Sequence, residues 1–136
     1  MSQMMTLEIP FKSEDDIKMV LDHFGLRYEE AADGVEIRGY RGVVGRMKGQ
    51  IVVRSEMFNG MADMGFIKQE DGSWKIHCES ADHSHLTQMQ NAYLYLKVEA
   101  GVKRRRQKMT IVKGRVPQKL ERHGSRDEEL QISVEV

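Results

Sequence analysis

Apolar and polar positions alternate in the first element that the chain predicts. Leu7, Ile9 and Phe11 are apolar, and the positions between them are occupied by glutamate and proline. A two-residue period places every apolar side chain on one face of a strand. We therefore predict a half-buried strand here, preceded by a disordered N-terminus at residues 1–5.

The pattern then changes to a spacing of three and four residues, which is typical of a helix with one apolar face. Ser13 is suited to cap the N-terminus, with Asp16 three residues later as in a capping box. Gly25 stands where a left-handed residue commonly ends a helix. A helix is therefore predicted between these positions, with an apolar stripe formed by Ile17, Val20, Leu21 and Phe24.

Several short segments that favour strands follow this helix. Two Asp-Gly pairs, Asp33-Gly34 and Asp71-Gly72, are signals for hairpin turns. After the second pair, Trp74, Ile76 and Cys78 share one face of a strand. The strands predicted in this region are 27–30, 35–40, 50–54, 62–68 and 73–79.

A second, longer helix is predicted to begin near Ser84, where apolar residues again recur at helical spacing. Gly101 inside this helix costs about 1 kcal/mol relative to alanine. The cations of segment 103–106 favour continuation nevertheless, because the helix dipole attracts positive charge to the C-terminus. Two further strands, 109–112 and 130–136, flank a polar loop at 117–129.

These elements predict an α+β fold. We expect a single, mostly antiparallel sheet of about six to seven strands, with two helices packed on one face. The expected order is β-α-β-β-β-β-β-α-β-β. A length of 136 residues suits one domain over 1–136, long enough to bury a core.

Composition narrows the classes of function. The chain carries 21 basic and 21 acidic side chains, whereas a general nucleic-acid binder usually has an excess of basic ones. No apolar run reaches the roughly 20 residues that span a bilayer, and the N-terminus lacks the pattern of a signal peptide. The single cysteine, Cys78, excludes an intramolecular disulfide and indicates a reducing compartment. The predicted localisation is cytoplasmic, without a membrane partner.

A glycine-rich stretch, residues 39–46, superficially offers flexible backbone and cations for a phosphate. It lacks the Lys-Ser/Thr and helix start of a P-loop and the strand–turn–helix setting of a dinucleotide site. The glycines are better explained by a bend between strands. Arginine and tyrosine are enriched at the energetic centres of protein interfaces. We therefore predict a binding patch here, formed by Arg38, Tyr40, Arg41 and Arg46.

Histidines and the cysteine cluster between residues 77 and 85, which raises the question of a zinc site. Adjacent His77 and Cys78 point to opposite faces of a strand, so they converge poorly on one ion. His83 and His85 are two positions apart, not the four that place two side chains on one helical face. We predict no metal site, no cofactor and no catalytic set, with Cys78 in the core.

A basic segment at 103–108 is the strongest local concentration of charge, and it contains Arg104, Arg105 and Arg106. It is explained by a solvated helix end, by a docking surface for an acidic protein, or by contact with nucleic-acid phosphates. The acidic residues 127–129 are expected to offset part of its charge. In addition, strand 130–136 is predicted to lie at a sheet edge, where it offers a route to homo-oligomers.

Three motifs stand out in the chain: the strand end Val-Glu-Ile-Arg-Gly-Tyr-Arg-Gly at 35–42, Asp-Met-Gly-Phe at 63–66, and Ala-Tyr-Leu-Tyr at 92–95. Together they resemble those of a domain family of unassigned function that includes the hypothetical chloroplast reading frame thirty-five proteins of plastids and cyanobacteria. The resemblance begins at the first strand and covers most of the chain. Segments 78–85 and 117–126 depart from the family pattern.

The resemblance implies a role, since members of the family are often encoded beside a MoxR-like AAA+ ATPase. It suggests a bacterial or phage accessory protein and carries over no catalytic residues. The leading hypothesis is a non-enzymatic protein-interaction or adaptor module that serves such an ATPase or its client. The alternatives are a nucleic-acid-binding accessory protein that uses 103–108, and a small-molecule-binding sensor or phage accessory protein.

Overall fold

Residues 4–43, 45–121 and 128–135 are described by a computed structural model, apart from the side chain of Arg41. The chain forms two compact units, Met1–His83 and Ser84–Val136, and each is described by itself. The α+β class and the antiparallel arrangement of the strands are confirmed. The prediction of a single domain stays a prediction.

The first unit contains a five-stranded antiparallel sheet and one α-helix. The strand order is β1-β5-β4-β3-β2, so the N-terminal strand lies at one edge. Short 3-10 helices follow β2, β3 and β5. The main elements are β1 (Met4–Glu8), α1 (Glu14–His23), β2 (Glu29–Glu36), β3 (Lys48–Val53), β4 (Met64–Lys68) and β5 (Trp74–Glu79).

Helix α1 begins and ends as its sequence predicts. The Ser13 side chain accepts a hydrogen bond from the Asp16 backbone N–H at 3.2 Å. At the other end Gly25 has φ +67°, and its N–H bonds the carbonyl of Asp22 at 3.0 Å. Both ends are fixed by local sequence because each cap needs only residues within one turn.

One face of the sheet forms the apolar core of the first unit. Ile51, Phe66, Ile76 and Leu7 occupy one register row across four strands. The first three are fully buried. Burying each such side chain stabilises the fold by about 1.5–3 kcal/mol. The alternation predicted for β5 is also confirmed, since Trp74, Ile76 and Cys78 are all buried.

The hairpin predicted at Asp33-Gly34 is wrong. A single strand, β2, runs through these residues, and both of its halves pair with β3: Glu29 opposite Val52, and Glu36 opposite Lys48. Because both halves share one neighbour, the extra residues form an irregularity within the strand, where Gly34 has φ +100°. Four strands therefore lie between the two helices, where five were predicted.

Two other predictions in this unit have different outcomes. The hairpin at Asp71-Gly72 is confirmed: Lys68 lies opposite Trp74, and Gly72 has φ +87°. The N-terminal assignment needs correction, because Met4 and Met5 belong to β1 and lie opposite Glu79 and Cys78. Pairing with β5 orders them, while residues 1–3 lie outside the described residues.

The second unit contains α2 (Ser84–Arg105) and an antiparallel ribbon of β6 (Lys108–Lys113) and β7 (Gln131–Glu135). The predicted continuation of the helix past Gly101 is confirmed. Arg106 ends it with φ +54°, and the N–H of Gln107 bonds the carbonyl of Val102 at 2.9 Å. Among the described residues, β6 and β7 pair only with each other. The predicted single sheet is therefore corrected to two sheets, of five strands and two.

Two buried amide side chains of α2 hold the polar connection between β6 and β7. Gln88 donates to the carbonyl of Glu121 at 2.7 Å and accepts from its N–H at 2.8 Å. Asn91 donates to the carbonyl of Glu128 at 2.8 Å and accepts from the N–H of Leu130 at 3.0 Å. Each side chain thus satisfies backbone groups as a neighbouring strand does. Of the predicted loop 117–129, residues 122–127 lie outside the described residues.

Candidate functional site

The loop that joins β2 to β3 forms a closed structure at its described positions, 39–43 and 45–47. We call these residues the β2–β3 loop. Just before it, the N–H of Ile37 bonds the carbonyl of Met47 at 3.0 Å, and the N–H of Gly39 bonds the carbonyl of Val43 at 2.7 Å. Gly42 has φ +74°, a conformation that favours glycine. These two cross-loop bonds bring the ends of the loop together.

Apolar side chains of this loop are exposed to solvent. Val43 is 66% exposed, and Tyr40 and Met47 are each 40% exposed. Arg46 is exposed as well and forms no ion pair within the described part of the chain. Tyrosine, methionine and arginine are over-represented where proteins bind one another. The loop therefore presents a surface with the composition of a small protein interface.

Ile37, two residues before the β2–β3 loop, packs tightly against the sheet. Ile37 is 1% exposed, and its side chain lies directly over Gly65 of β4. A Cβ added at Gly65 would overlap the Cγ1 and Cδ1 atoms of Ile37, so only glycine leaves room for this packing. The Ile37 carbonyl also lies 2.6 Å from where a Cβ of Gly45 would stand. The base of the loop is thus set by close contact as well as by hydrogen bonds.

The next residue, Arg38, is fixed by a buried carboxylate. Asp63 is 1% exposed. Its Oδ2 accepts from the Arg38 N–H at 2.9 Å and from Arg38 Nε at 3.0 Å. In return, the Asp63 N–H donates to the Arg38 carbonyl at 3.0 Å. Backbone and side chain of Arg38 are therefore both held by one residue that lies 25 positions later in the chain.

A second arginine completes the network around this carboxylate. Arg54 Nη1 donates to Asp63 Oδ2 at 2.6 Å and to the Glu36 carbonyl at 2.8 Å. The N–H of Ser55 donates to Asp63 Oδ1 at 2.9 Å. At the solvent side Glu29 accepts from Arg54 Nε, and Glu56 accepts from Arg38 at 3.2 Å. We call Glu29, Arg38, Arg54, Glu56 and Asp63 the Asp63 network.

The pKa values in this network follow from its geometry. Burial alone raises the pKa of the Asp63 carboxyl, but the hydrogen bonds from Arg38 and Arg54 outweigh burial and hold it below its ordinary value. The hydrogen bond from Arg54 likewise lowers the pKa of Glu29. Asp63 is therefore a charged, fully bonded residue near neutral pH, which is the state that makes burial of a carboxylate tolerable.

The structure distributes the predicted binding residues among different settings. Arg38 lies inside the Asp63 network, Tyr40 and Arg46 are exposed on the β2–β3 loop, and the Arg41 backbone belongs to the same 3-10 helix as Tyr40. The predicted binding residues of the basic segment 103–108 belong to the second unit. They are Arg104 and Arg105 in the last turn of α2, and Arg106 at its end; all three are exposed.

Asp63, which organises this region, was not predicted to be a functional residue. In the sequence it stands out only as part of the Asp-Met-Gly-Phe motif at 63–66. One signal was present: a lone acidic residue between Ala62 and Met64, in a run that is otherwise apolar or glycine. A charge in such a run is usually paired. Its partners, however, are distant in sequence and had to be found in the structure.

The reactive residues near the end of β5 are arranged as core residues. Burial raises the pKa of the Cys78 thiol to about 12, with nearby Asp82 and Glu79 acting in the same direction. A thiol in this state is a poor nucleophile. His77 Nδ1 lies 2.7 Å from the Thr6 hydroxyl of the paired strand, and burial lowers the His77 pKa. The described residues contain no His, Cys, Asp and Glu group arranged for a metal ion.

Comparisons with protein-family models, with curated proteins and with solved structures give no match to this chain. The resemblance to the plastid and cyanobacterial family, based on 35–42, 63–66 and 92–95, therefore stays a prediction. In the parts of the chain that the structure describes, neither helix is long and apolar enough to cross a membrane.

Proposed function

We propose that the protein is a non-enzymatic interaction or adaptor module that binds a partner protein through the β2–β3 loop. One observation carries this proposal: Tyr40, Val43 and Met47 expose apolar side chains on a loop whose two ends are closed by hydrogen bonds. An apolar group held at the surface gains free energy when a partner removes it from water.

The anchored base of the loop strengthens the argument. A binding loop that is disordered when free loses conformational entropy on binding, roughly 0.5–1.5 kcal/mol for each immobilised side chain. Here Ile37 and Arg38 are already fixed by Gly65 and Asp63. Part of the ordering cost is therefore met during folding, so contacts made by the loop contribute more of their free energy to affinity.

The partner that we propose is a MoxR-like AAA+ ATPase or its client. This assignment rests on the family resemblance in 35–42, 63–66 and 92–95. It is compatible with the loop, because an interface centred on tyrosine, valine, methionine and arginine suits a protein surface better than a small polar ligand. No step of catalysis is assigned to this chain.

A pull-down from native extract, with and without ATP, tests the proposal. Three purified baits are compared: the wild type, a variant with Tyr40→Ser and Met47→Ser, and a control with Met57→Ser and Leu94→Ser. The control residues are similarly exposed, at 36% and 39%, and lie outside the loop. We expect the wild type and the control to capture the same protein, and the loop variant to capture much less.

Two results would separate the parts of the proposal. Capture that depends on the loop but contains no ATPase would remove the ATPase partner and keep the interaction module. Equal capture by all three folded baits, or no specific capture by the wild type, would remove the β2–β3 loop as a binding surface. Circular dichroism spectra that coincide for the three baits confirm that folding is not the variable.

A further inference from the structure

A groove between helix and ribbon is present within the second unit. It encloses about 270 Å³ and lies between the last turns of α2 and strand β7. We call it the α2–β7 groove. Its walls include Val98, Gly101, Val102, Arg104, Arg105 and Val134.

The floor of this groove is apolar and has unoccupied space above its glycine. Val98, Val102 and Val134 supply aliphatic surface, and Val134 is 37% exposed. A Cβ added at Gly101 would meet no heavy atom within 4 Å. Gly101 therefore leaves a depression in the groove that an apolar side chain fits. The helix keeps this glycine although glycine has a lower helix propensity than alanine.

The rim of the groove is basic. Arg104 and Arg105 are exposed and form no ion pair within the described residues. The acidic residue in this part of α2 is engaged elsewhere: Glu99 accepts from the Tyr95 hydroxyl at 2.6 Å and lies 3.6 Å from Lys103. Glu135 of β7 forms no ion pair with Arg104 or Arg105 within the described residues. A ligand with carboxylates beside an apolar group therefore complements both the rim and the floor.

The acidic segment of the chain itself does not supply this complement at its described residues. The Glu128 carboxylate lies 4.0 Å from Lys113, at the opposite end of the ribbon from Val134. The predicted offset between residues 127–129 and the basic segment 103–108 is therefore not made by Glu128, and Glu129 forms no ion pair within the described residues, while Asp127 lies outside them. Within the part of the chain that the structure describes, no carboxylate pairs with Arg104 or Arg105.

We propose that the α2–β7 groove binds an extended acidic peptide segment of a partner protein, in which apolar and carboxylate side chains lie on the same face of the strand. Among the described strands β7 pairs only with β6, so its other edge is available for main-chain hydrogen bonds. In an added strand every second side chain points to the same side, so apolar and carboxylate side chains at alternate positions both face α2. The apolar ones enter the groove, and the carboxylates reach Arg104 and Arg105 at its rim. This proposal is independent of the β2–β3 loop.

A peptide explains the groove better than a nucleic acid does. Proteins that bind single strands combine a basic path with aromatic side chains on which bases stack. Here the groove is lined by aliphatic side chains and a glycine, with no aromatic residue among the described lining residues. An aliphatic floor rewards burial of an apolar peptide side chain and offers little to a phosphate backbone.

Fluorescence anisotropy with synthetic probes tests this inference on the full chain. The main probe is a capped peptide of about eight residues, long enough to form one strand, in which valine and glutamate share the alternate positions of one face and serine fills the other positions. One control peptide has serine in place of valine, another has lysine in place of glutamate, and a single-stranded DNA oligonucleotide of matched charge is the fourth probe. We expect only the glutamate–valine peptide to bind well.

Two variants locate the site. Gly101→Leu fills the depression with a residue of higher helix propensity, so its melting temperature should not fall while peptide binding is lost. Arg104→Glu should weaken binding by roughly tenfold, because it replaces attraction by repulsion at the rim. Lys103→Glu is the matched control: this residue does not line the groove, and we expect it to bind the peptide nearly as the wild type does.

Several results would overturn the inference. One is absence of binding by the glutamate–valine peptide. Another is equal binding by the glutamate–serine peptide or tighter binding by the DNA, since either makes charge alone the determinant. Retained binding by Gly101→Leu places the peptide elsewhere. Concentration-dependent dimerisation of the wild type that Gly101→Leu abolishes makes a second copy, through its strand β7, the occupant instead.

Discussion

Asp63 shows how one buried charge organises the base of the candidate binding loop. It is in contact with Arg38, Arg54 and Ser55, and it holds the backbone of Arg38 from both sides. Removing a buried carboxylate leaves its donors without a partner, which is where the large effects of ion-pair mutations arise. The glutamates at the edge of the network are much more exposed and therefore contribute less.

Replacing Asp63 by alanine should lower the free energy of unfolding by about 3 kcal/mol. The matched control is Glu56→Ala in the same network: its side chain is 68% exposed, so the loss should be about 0.5 kcal/mol. Urea unfolding followed by tryptophan fluorescence measures both values. Equal losses for the two variants would contradict a central role for Asp63.

The stability that Asp63 provides should depend on pH in a defined direction. Its folded pKa lies below the ordinary 3.8, so the contribution is present above that pH and is lost as pH falls through the folded value. The difference in unfolding free energy between the wild type and Asp63→Asn should therefore be constant between about pH 5 and 7 and shrink below about pH 4. A difference that grows on acidification would show that the carboxyl is protonated in the native state.

Residue roles were partly predictable from the sequence. Tyr40 and Arg46 are exposed, which agrees with their prediction as surface residues, although their role in binding stays a prediction. Arg38 was grouped with them, yet it belongs to an ion-pair network whose acidic centre lies 25 positions away. A contact over that separation is created by pairing of strands. The residues around Arg38 in the sequence therefore do not predict its ion pair with Asp63.

At the level of elements, the residue that follows β2 contacts β4, and this contact depends on the absence of a side chain at Gly65. Ile37 covers Gly65, and the added Cβ of an alanine would overlap it. Since Ile37 also bonds Met47 across the neck of the loop, the clash should be transmitted to the β2–β3 loop. The glycine at 65 therefore has a packing role, unlike Gly25 and Gly72, which adopt positive φ.

Gly65→Ala should destabilise the protein by about 1–3 kcal/mol, the usual cost of overpacking a core. Combining it with Ile37→Ala should cost less than the sum of the two single changes, because the second substitution removes the atoms that clash. A double-mutant cycle by urea unfolding measures this coupling. Strict additivity would mean that the two residues do not press on each other.

Elements were predictable where their signals are local. The caps of α1, the turn at Asp71-Gly72 and the passage of α2 through Gly101 each depend on residues within a turn or on one helix. The course of β2 was not predictable from local signals, because Asp33-Gly34 has the sequence of a hairpin turn. Pairing of both flanks with β3 overrides that local preference, and such pairing is a property of the folded sheet.

At the scale of the whole molecule, each of the two compact units carries one proposed surface. In the first unit it is the apolar β2–β3 loop, and in the second it is the basic-rimmed α2–β7 groove. Their chemistry differs, so they suit different segments of partner proteins. Equal totals of acidic and basic side chains, 21 each, conceal this division because the charge of the second surface is local.

The central claim is that the β2–β3 loop binds a protein, and one matched pair of variants tests it most directly. Val43 in the loop and Val112 on β6 are almost equally exposed, at 66% and 64%. Val43→Asp and Val112→Asp therefore introduce the same charge at comparable positions. The measurement is the Kd of each purified variant for the protein that the wild type captures. We predict that Val43→Asp raises the Kd by at least about tenfold, while Val112→Asp leaves the Kd nearly unchanged. Equal Kd values for the two variants would contradict the claim.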